Sequence, residues 1–260
     1  MKKLVAGLVA AVALTGAAYA QEKSVKIGTE AAYAPFEYKD DKGELKGYEI
    51  ELGNALCAAA KLKCEWVNAD FDSLIPALNA HKIDAILSQM SITADRKKAV
   101  DFTNQVTVAP ARFVAKTGSG ITDDPASLKG KTIAVQSGTT HEKYVNEKLK
   151  GIVTPKVYQG QDEAFLDVEN GRADATLADA TIEYDWIEKT GKAKGFDYAG
   201  KPLFDQEIFG DGTGIAVRKG DTALLDSFNK ALVAVTKDST FKKINDKYFP
   251  FDIVGSGGKM

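Results

Sequence analysis

The sequence predicts an α/β protein of two similar lobes, and three observations carry that prediction. Apolar runs that read as buried strands alternate with segments of helical spacing, the pattern of a parallel sheet covered on both faces. The alternation stops and restarts around two long extended stretches, residues 106–115 and 200–210. A segment of the first half is also echoed in the second. Asn79-Ala80-His81-Lys82-Ile83-Asp84-Ala85-Ile86-Leu87 resembles Glu169-Asn170-Gly171-Arg172-Ala173-Asp174-Ala175-Thr176-Leu177, each a helix end, a turn and a strand. Lobes joined by extended crossings set the carboxyl ends of their strands face to face, where open α/β sheets bind ligands. The cleft between them is the default site.

Taken in order, residues 25–29 alternate as a strand and run into Glu30-Ala31-Ala32-Tyr33-Ala34-Pro35-Phe36, a loop with a proline stop. Asp40-Asp41-Lys42-Gly43 is a turn between two short strands. Residues 48–62 have helical spacing, 64–67 read as a strand, and 72–81 as a helix capped by Asp72 or Ser73. The apolar run 83–87 reads as a buried strand. It empties into a polar turn holding Ser88, Gln89, Met90 and Ser91, and Thr93 caps a short helix over 94–100. After a Gly/Ser/Asp-rich connection at 117–131 come strand 132–135, helix 141–149, strand 153–158, helix 162–169, strand 173–177 and helix 180–189. The stretch 212–217 and two helices, 222–236 and 239–247, close the fold, and 255–260 read as a frayed tail.

The first twenty residues are not part of this fold. Lys2 and Lys3, an apolar core at 4–14 and Ala18-Tyr19-Ala20 form a secretory signal cleaved after Ala20, so the mature chain begins at Gln21 and is exported. No other segment has the roughly 20 apolar residues of a membrane span. Formal net charge is −2, with both signs interspersed, which excludes a basic nucleic-acid surface. Cys57 and Cys64 are an even pair in an exported chain, which favours a structural disulfide worth about 2–3 kcal/mol. A metal site is not supported, because His81 and His141 are the two histidines and neither adjoins the pair.

Arg96 falls in the first turn of the expected helix, where the dipole favours anions. It is either an ordinary solvated arginine or the grip for a bound carboxylate, which its planar fork holds at two oxygens. Ser137-Gly138-Thr139-Thr140 lies between a strand and a helix and is a carboxylate cradle or a plain N-cap. Asp179 accepts an ammonium or caps the next helix. Tyr33 and Phe71, both in loops at strand ends, pack as core or sandwich a ligand. Glu30 ends the first strand beside apolar neighbours and needs a cation to stay ionised once water leaves. Catalytic patterns are absent from the sequence: no G-x-S-x-G, no H-E-x-x-H, and Gly210-Asp211-Gly212-Thr213-Gly214 reads as a turn.

These signals, taken together, resemble one family. The motifs are Ile27-Gly28-Thr29-Glu30 with Tyr33-Ala34-Pro35-Phe36, Gly47-Tyr48-Glu49-Ile50-Glu51-Leu52, and Phe71-Asp72-Ser73-Leu74-Ile75-Pro76-Ala77-Leu78. Lys82-Ile83-Asp84-Ala85, Ser91-Ile92-Thr93 with Arg96, and Phe209-Gly210-Asp211-Gly212-Thr213-Gly214 complete them. From end to end the mature chain resembles the periplasmic amino-acid-binding proteins of ABC transporters, in the branch that binds lysine, arginine, ornithine and histidine. The resemblance implies a type II periplasmic-binding-protein fold, each lobe a mixed, mainly parallel sheet flanked by helices. Lobe 1 would comprise 21–108 plus 211–260 and lobe 2 109–210, with hinge crossings near 108–111 and 203–211. It also implies the Cys57–Cys64 disulfide, no cofactor, a monomer in the periplasm, an amino acid as ligand and a membrane permease as partner.

Position by position, the resemblance implies that Arg96 clamps the ligand α-carboxylate with the N–H groups of Ser91 and Thr140. Asp179 takes the α-ammonium with Ser91 and the backbone near Gln89. Tyr33 and Phe71 flank the side chain, and Glu30 reaches its distal cation. Ser88, Met90, Gln136, Thr139 and His141 complete the implied ligand set. Glu30 stands where relatives carry Asp, Gln89 where they carry Ser, Gln136 where they carry an aliphatic residue and His141 where they carry Gln. These changes make the distal pocket more polar and admit an opine, histidine or glutamine as alternatives. A dehydratase of aromatic-amino-acid precursors, with His141 as its acid or base, and a chemoreceptor ligand sensor are the rival readings on the same fold.

Overall fold

The structure is a computed structural model that describes residues 24–253. The expected signal segment, its cleavage site and the C-terminal tail lie outside the described residues. In chain order the strands begin with β1 (Ser24–Thr29), β2 (Ala32–Tyr33), β3 (Glu37–Lys39), β4 (Leu45–Lys46), β5 (Lys63–Asn68) and β6 (Ala85–Ile86). They continue with β7 (Val100–Phe102), β8 (Ala111–Lys116), β9 (Thr132–Gln136), β10 (Thr154–Tyr158), β11 (Ala175–Asp179), β12 (Phe196–Leu203) and β13 (Ala216–Arg218). The helices are α1 (Tyr48–Ala60), α2 (Leu74–Asn79), α3 (Pro125–Leu128), α4 (Thr140–Lys148) and α5 (Gln161–Glu169). After these come α6 (Ala180–Trp186), α7 (Gln206–Phe209), α8 (Thr222–Lys237) and α9 (Thr240–Tyr248).

Two five-stranded sheets result, ordered β5-β1-β6-β13-β7 and β10-β9-β11-β8-β12. In each, three parallel strands are followed by antiparallel partners. The fold is therefore the two-lobed, mixed α/β arrangement that the alternation predicts. The first lobe's core joins Tyr48, Leu52 and Leu56 of α1 to Phe228, Leu232 and Val235 of α8 and Phe241 of α9. A separate cluster packs Leu74 and Leu78 of α2 on Ile83, Ile86 and Val100. In the second lobe Ile133, Val135, Val145 and Leu177 form one core and Ala164, Val168 and Ile187 another. Each fully buried large apolar side chain contributes about 1.5–3 kcal/mol. The disulfide joins Cys57 in the last turn of α1 to Cys64 in β5.

The internal echo has a physical role. Asp84, just before β6, accepts the Lys26 N–H at 3.0 Å and gives its own N–H to the Lys26 carbonyl at 2.7 Å. Asp174, just before β11, does the same to Thr132 at 2.8 and 2.9 Å. Each aspartate ties a third parallel strand to the first strand of its sheet, which explains why both lobes repeat the pattern. On the first lobe's side of the expected crossings, Thr213 forms antiparallel bridges to Thr107 and to Ser91.

Several local expectations change. The strand expected over 83–87 narrows to Ala85–Ile86. The helix expected over 72–81 splits into a 3-10 turn, Phe71–Ser73, and the shorter α2. Ser73 holds the cap position without capping, because its hydroxyl donates to the Asp70 carbonyl at 2.7 Å. The helix expected over 94–100 does not form. Residues Arg96–Lys98 make one 3-10 turn, and Val100 is drawn into β7, paired with Arg218. A long-range strand pairing overrides the local signal there.

Candidate functional site

Residues that end or follow β1, β6, β9 and β11 converge on one pocket between the lobes. The first lobe supplies Glu30, Tyr33, Phe71, Ser88, Gln89, Ser91 and Arg96, and the second supplies Gln136, Thr139, Thr140, His141 and Asp179. The space enclosed among them is about 10 Å³, room for a single water. Met90 is placed elsewhere. It is 2% exposed in the apolar cluster with Phe71, Leu74 and Val100, behind the pocket wall.

Glu30 is buried, and its N–H donates to Ser88 Oγ at 3.1 Å. From the opposite lobe Gln136 Nε2 donates to Glu30 Oε2 at 2.5 Å and to the Gln159 carbonyl at 3.0 Å. Both of those partners are acceptors, which fixes the orientation of the Gln136 amide and leaves its buried Oε1 without a donor. Burial pushes the Glu30 carboxyl up to about 8, with the Gln136 bond opposing and the charges of Asp162, Asp70 and Glu49 adding.

Arg96 reaches the pocket from its 3-10 turn, not from a helix. The dipole argument that singled it out therefore does not hold, although Thr93 Oγ1 does accept the Arg96 N–H at 3.2 Å. Its guanidinium lies 5.3 Å from the centre of the Phe71 ring. One nitrogen donates to the Ser91 carbonyl in its own lobe and the other to Gly138 across the cleft, both at 3.0 Å. Burial brings the guanidinium down to about 10, with Asp179 and Tyr33 opposing, and it stays charged at neutral pH.

Asp179 occupies the N-cap position of α6 but makes no side-chain cap. Its carboxylate turns instead into the pocket, accepting the Tyr33 hydroxyl at 2.8 Å, with His141 Nε2 at 3.4 Å. Of the two readings open for Asp179, the capping one is excluded. The opposite holds at Thr139, which caps α4 by accepting the Glu142 N–H at 3.1 Å. Gly138 sits at φ +72°, and a Cβ there would stand 2.8 Å from Asp72 Cβ of the other lobe. The lobes meet at this point, where Ser137 Oγ donates to Asp72 at 2.8 Å and Lys143 pairs with Asp95 at 2.5 Å.

Gln89 also adopts a left-handed backbone, φ +43°, uncommon for a non-glycine residue and costing on the order of 1 kcal/mol. Its Oε1 accepts the Thr107 hydroxyl at 2.8 Å, and Thr107 shares a 2.7 Å hydrogen bond with Thr213. The sequence reading passed over Glu37, Glu49, Thr107 and Thr213 as site residues. Glu49 offered a signal: it stands between Tyr48 and Ile50 on a helix whose buried residues are otherwise apolar apart from Gly53. A second chamber of about 480 Å³ adjoins the pocket along the crossings and shares Gln89, Ser91, Thr140 and Asp179 with it. Among the described residues no His, Cys, Asp or Glu cluster is placed to hold a metal, and no helix is long and apolar enough to cross a membrane.

A pocket at facing strand ends, with a fixed cation and a fixed anion, suits a small zwitterion. Residues 25–251 match the bacterial extracellular solute-binding proteins, family 3. The chain belongs to this family. Relatives of this solute-binding protein include the L-arginine-binding protein of Pseudomonas aeruginosa, 46% identical over 98% of this chain and all of that one. The lysine/arginine/ornithine-binding periplasmic protein of Escherichia coli is 42% identical over the same shares. Among solved structures, a periplasmic binding protein of Salmonella typhimurium with high arginine specificity superposes with a TM-score of 0.81. It is 32% identical, and the match covers 87% of this chain and 99% of that one. These relatives are binding proteins, not enzymes.

Proposed function

We propose that this protein captures a free L-amino acid with a cationic side chain, arginine foremost, and delivers it to the membrane permease of an ABC importer. One observation carries the reading: Arg96, Asp179 and the buried Glu30 line a single pocket. A guanidinium and a carboxylate from opposite lobes match the carboxylate and ammonium of the headgroup, and a second carboxylate remains for a distal cation. The specificities of the relatives support the same class. In this reading Ser91 and Thr140 complete the carboxylate shell, Tyr33 and Phe71 flank the side chain, and Gln136 and His141 border its far end. Ser88 and Gln89 form the floor, and Thr139 holds α4 in place.

The ligand enters when the lobes, 21–108 with 211–260 and 109–210, separate about the crossings near 108–111 and 203–211. Closure on the ligand then creates the surface that the permease distinguishes. The protein works as a monomer in the periplasm after cleavage behind Ala20. The opine alternative is less well supported. An N-substituent would enter the chamber beside Asp179, and none of the residues lining that chamber is Lys or Arg to meet a second carboxylate.

Calorimetric titration with L-arginine, L-lysine, L-ornithine, L-histidine, L-glutamine and octopine tests the proposal. Arginine is expected to bind tightest. At about 100 times the dissociation constant it adds roughly 2.7 kcal/mol to stability. Binding of octopine alone would overturn it.

A further inference from the structure

Two carboxylic acids lie side by side beneath the pocket without lining it. Glu37 in β3 is fully buried, and Glu49 in the first turn of α1 is 1% exposed. Each carboxyl is close enough to act on the other, and Glu37 Oε2 is buried without a donor. Glu37 Oε1 also accepts the Ser88 hydroxyl at 2.9 Å, and Glu49 Oε2 accepts the Gln89 N–H at 2.8 Å. Ser88 and Gln89 are consecutive, so the two acids grip successive residues of the pocket floor. Ser88 Oγ in turn receives the Glu30 N–H, and Gln89 is held in its left-handed conformation.

Two ionised carboxylates only accept, so a bond between them requires that one carry a proton. The geometry says which. One oxygen of each acid accepts a donor from the floor, Glu49 Oε2 from Gln89 and Glu37 Oε1 from Ser88, so the difference lies in the remaining oxygens. Glu37 Oε2 is buried and no donor reaches it, and an O–H there supplies the missing bond to Glu49. The electrostatics agree in direction. Burial, then Glu49, then Glu30 raise Glu37 well above the usual carboxylate range. Glu49 rises only to about 7, because burial is opposed by the Gln89 N–H and by Glu37. The charged groups that act on the pair are Glu30 at the end of β1 and Asp179 across the cleft, both acidic.

We propose that Glu37 is a positioning residue that works as a neutral carboxylic acid: it donates its proton to Glu49, and the pair fixes Ser88 and Gln89, and through Ser88 the Glu30 backbone, for the ligand. This rests on the amino-acid reading of the pocket. Glu37→Gln keeps a donor toward Glu49 and an acceptor toward Ser88, whereas Glu37→Ala removes both.

The test titrates L-arginine by calorimetry at pH 7 and follows thermal unfolding against pH without ligand. Glu37→Gln is expected to bind within about 3-fold of the wild type and Glu37→Ala at least about 10-fold more weakly. The wild-type unfolding temperature falls as pH rises from mildly acidic values, because the folded pair keeps a proton that the unfolded chain gives up, and Glu37→Gln is expected to flatten that fall. Equal losses in the two variants, or a Glu37→Gln profile parallel to the wild type, overturn the proposal. If L-arginine does not bind the wild type, the ligand reading fails, and the ligand-free unfolding profiles still decide the state of Glu37.

Discussion

Gln136 of one lobe gives its amide N–H to the Glu30 carboxylate of the other at 2.5 Å, a bond that spans the cleft. The acid proposed to read the distal cation therefore has a neutral partner built into the protein. On the proposed reading, a ligand cation would replace or join that partner, and the exchange would change the charge state of Glu30.

Ligand binding is expected to release protons. With its carboxyl near 8, Glu30 is roughly 90% protonated at pH 7, and an arriving guanidinium favours its ionised form. Titration of L-arginine in phosphate and in Tris, whose ionisation enthalpies differ, reads the number directly. Release approaching one proton is expected for the wild type and none for Glu30→Gln. A wild-type heat that is the same in both buffers contradicts the assignment.

Stability without ligand is expected to decline from mildly acidic to mildly alkaline pH. Glu30, Glu37 and Glu49 all have folded-state values above their unfolded ones, so the folded state holds more protons above about 4.5, up to about 8 for Glu30 and about 7 for Glu49. Their favourable contribution is complete below the unfolded value and is lost as pH rises through the folded one. For Glu30 the span amounts to something on the order of 5 kcal/mol. Unfolding temperatures measured from pH 5 to 9 check the sign, and a rise over that range would refute it.

Arg96→Ala is expected to weaken L-arginine binding by about 3–5 kcal/mol, because a buried ligand carboxylate is left without its counter-charge. Arg96→Lys recovers part of this, since an ammonium restores the charge without the two-pronged grip. Calorimetry on both variants separates charge from geometry, and wild-type affinity in the alanine variant would remove Arg96 from the site.

Gly138→Ala probes the meeting of the lobes. At φ +72° alanine carries a strain of about 1–2 kcal/mol whether or not the lobes touch. The added methyl collides with Asp72 Cβ and Cα only when they do. Affinity for L-arginine is expected to fall at least tenfold, while small-angle scattering shows a more extended particle at the same ligand concentration. A variant as compact as the wild type would refute the contact.

How much of this was legible in the sequence differs from residue to residue. The repeated Asp of the internal echo was visible because each lobe uses the same residue, just before its third parallel strand, to fasten that strand to the first, so the same short motif recurs in each half. Arg96 was picked out by a helix that does not exist: the pairing of Val100 with Arg218 is set by residues far apart in the chain, and no window around Arg96 contains it. The local sequence of Asp179 slightly favours a cap over an anchor, and the position of Tyr33 in the other lobe reverses that. Glu49 was within a quoted motif and Glu37 directly follows another, yet their pairing joins a strand to a helix and leaves no periodic trace.

The two crossings carry a mechanical consequence. A body hung on one strand can swivel as well as bend. Here two antiparallel segments are stitched together by Thr107 and Thr213, with main-chain bonds of 2.7 and 2.9 Å beside the hydroxyl contact. A stitched pair resists torsion and yields to flexure, so in the proposed opening and closing it would reduce the path toward a single degree of freedom. Gln89, bonded to Thr107 from the pocket floor, ties that stitch to the site.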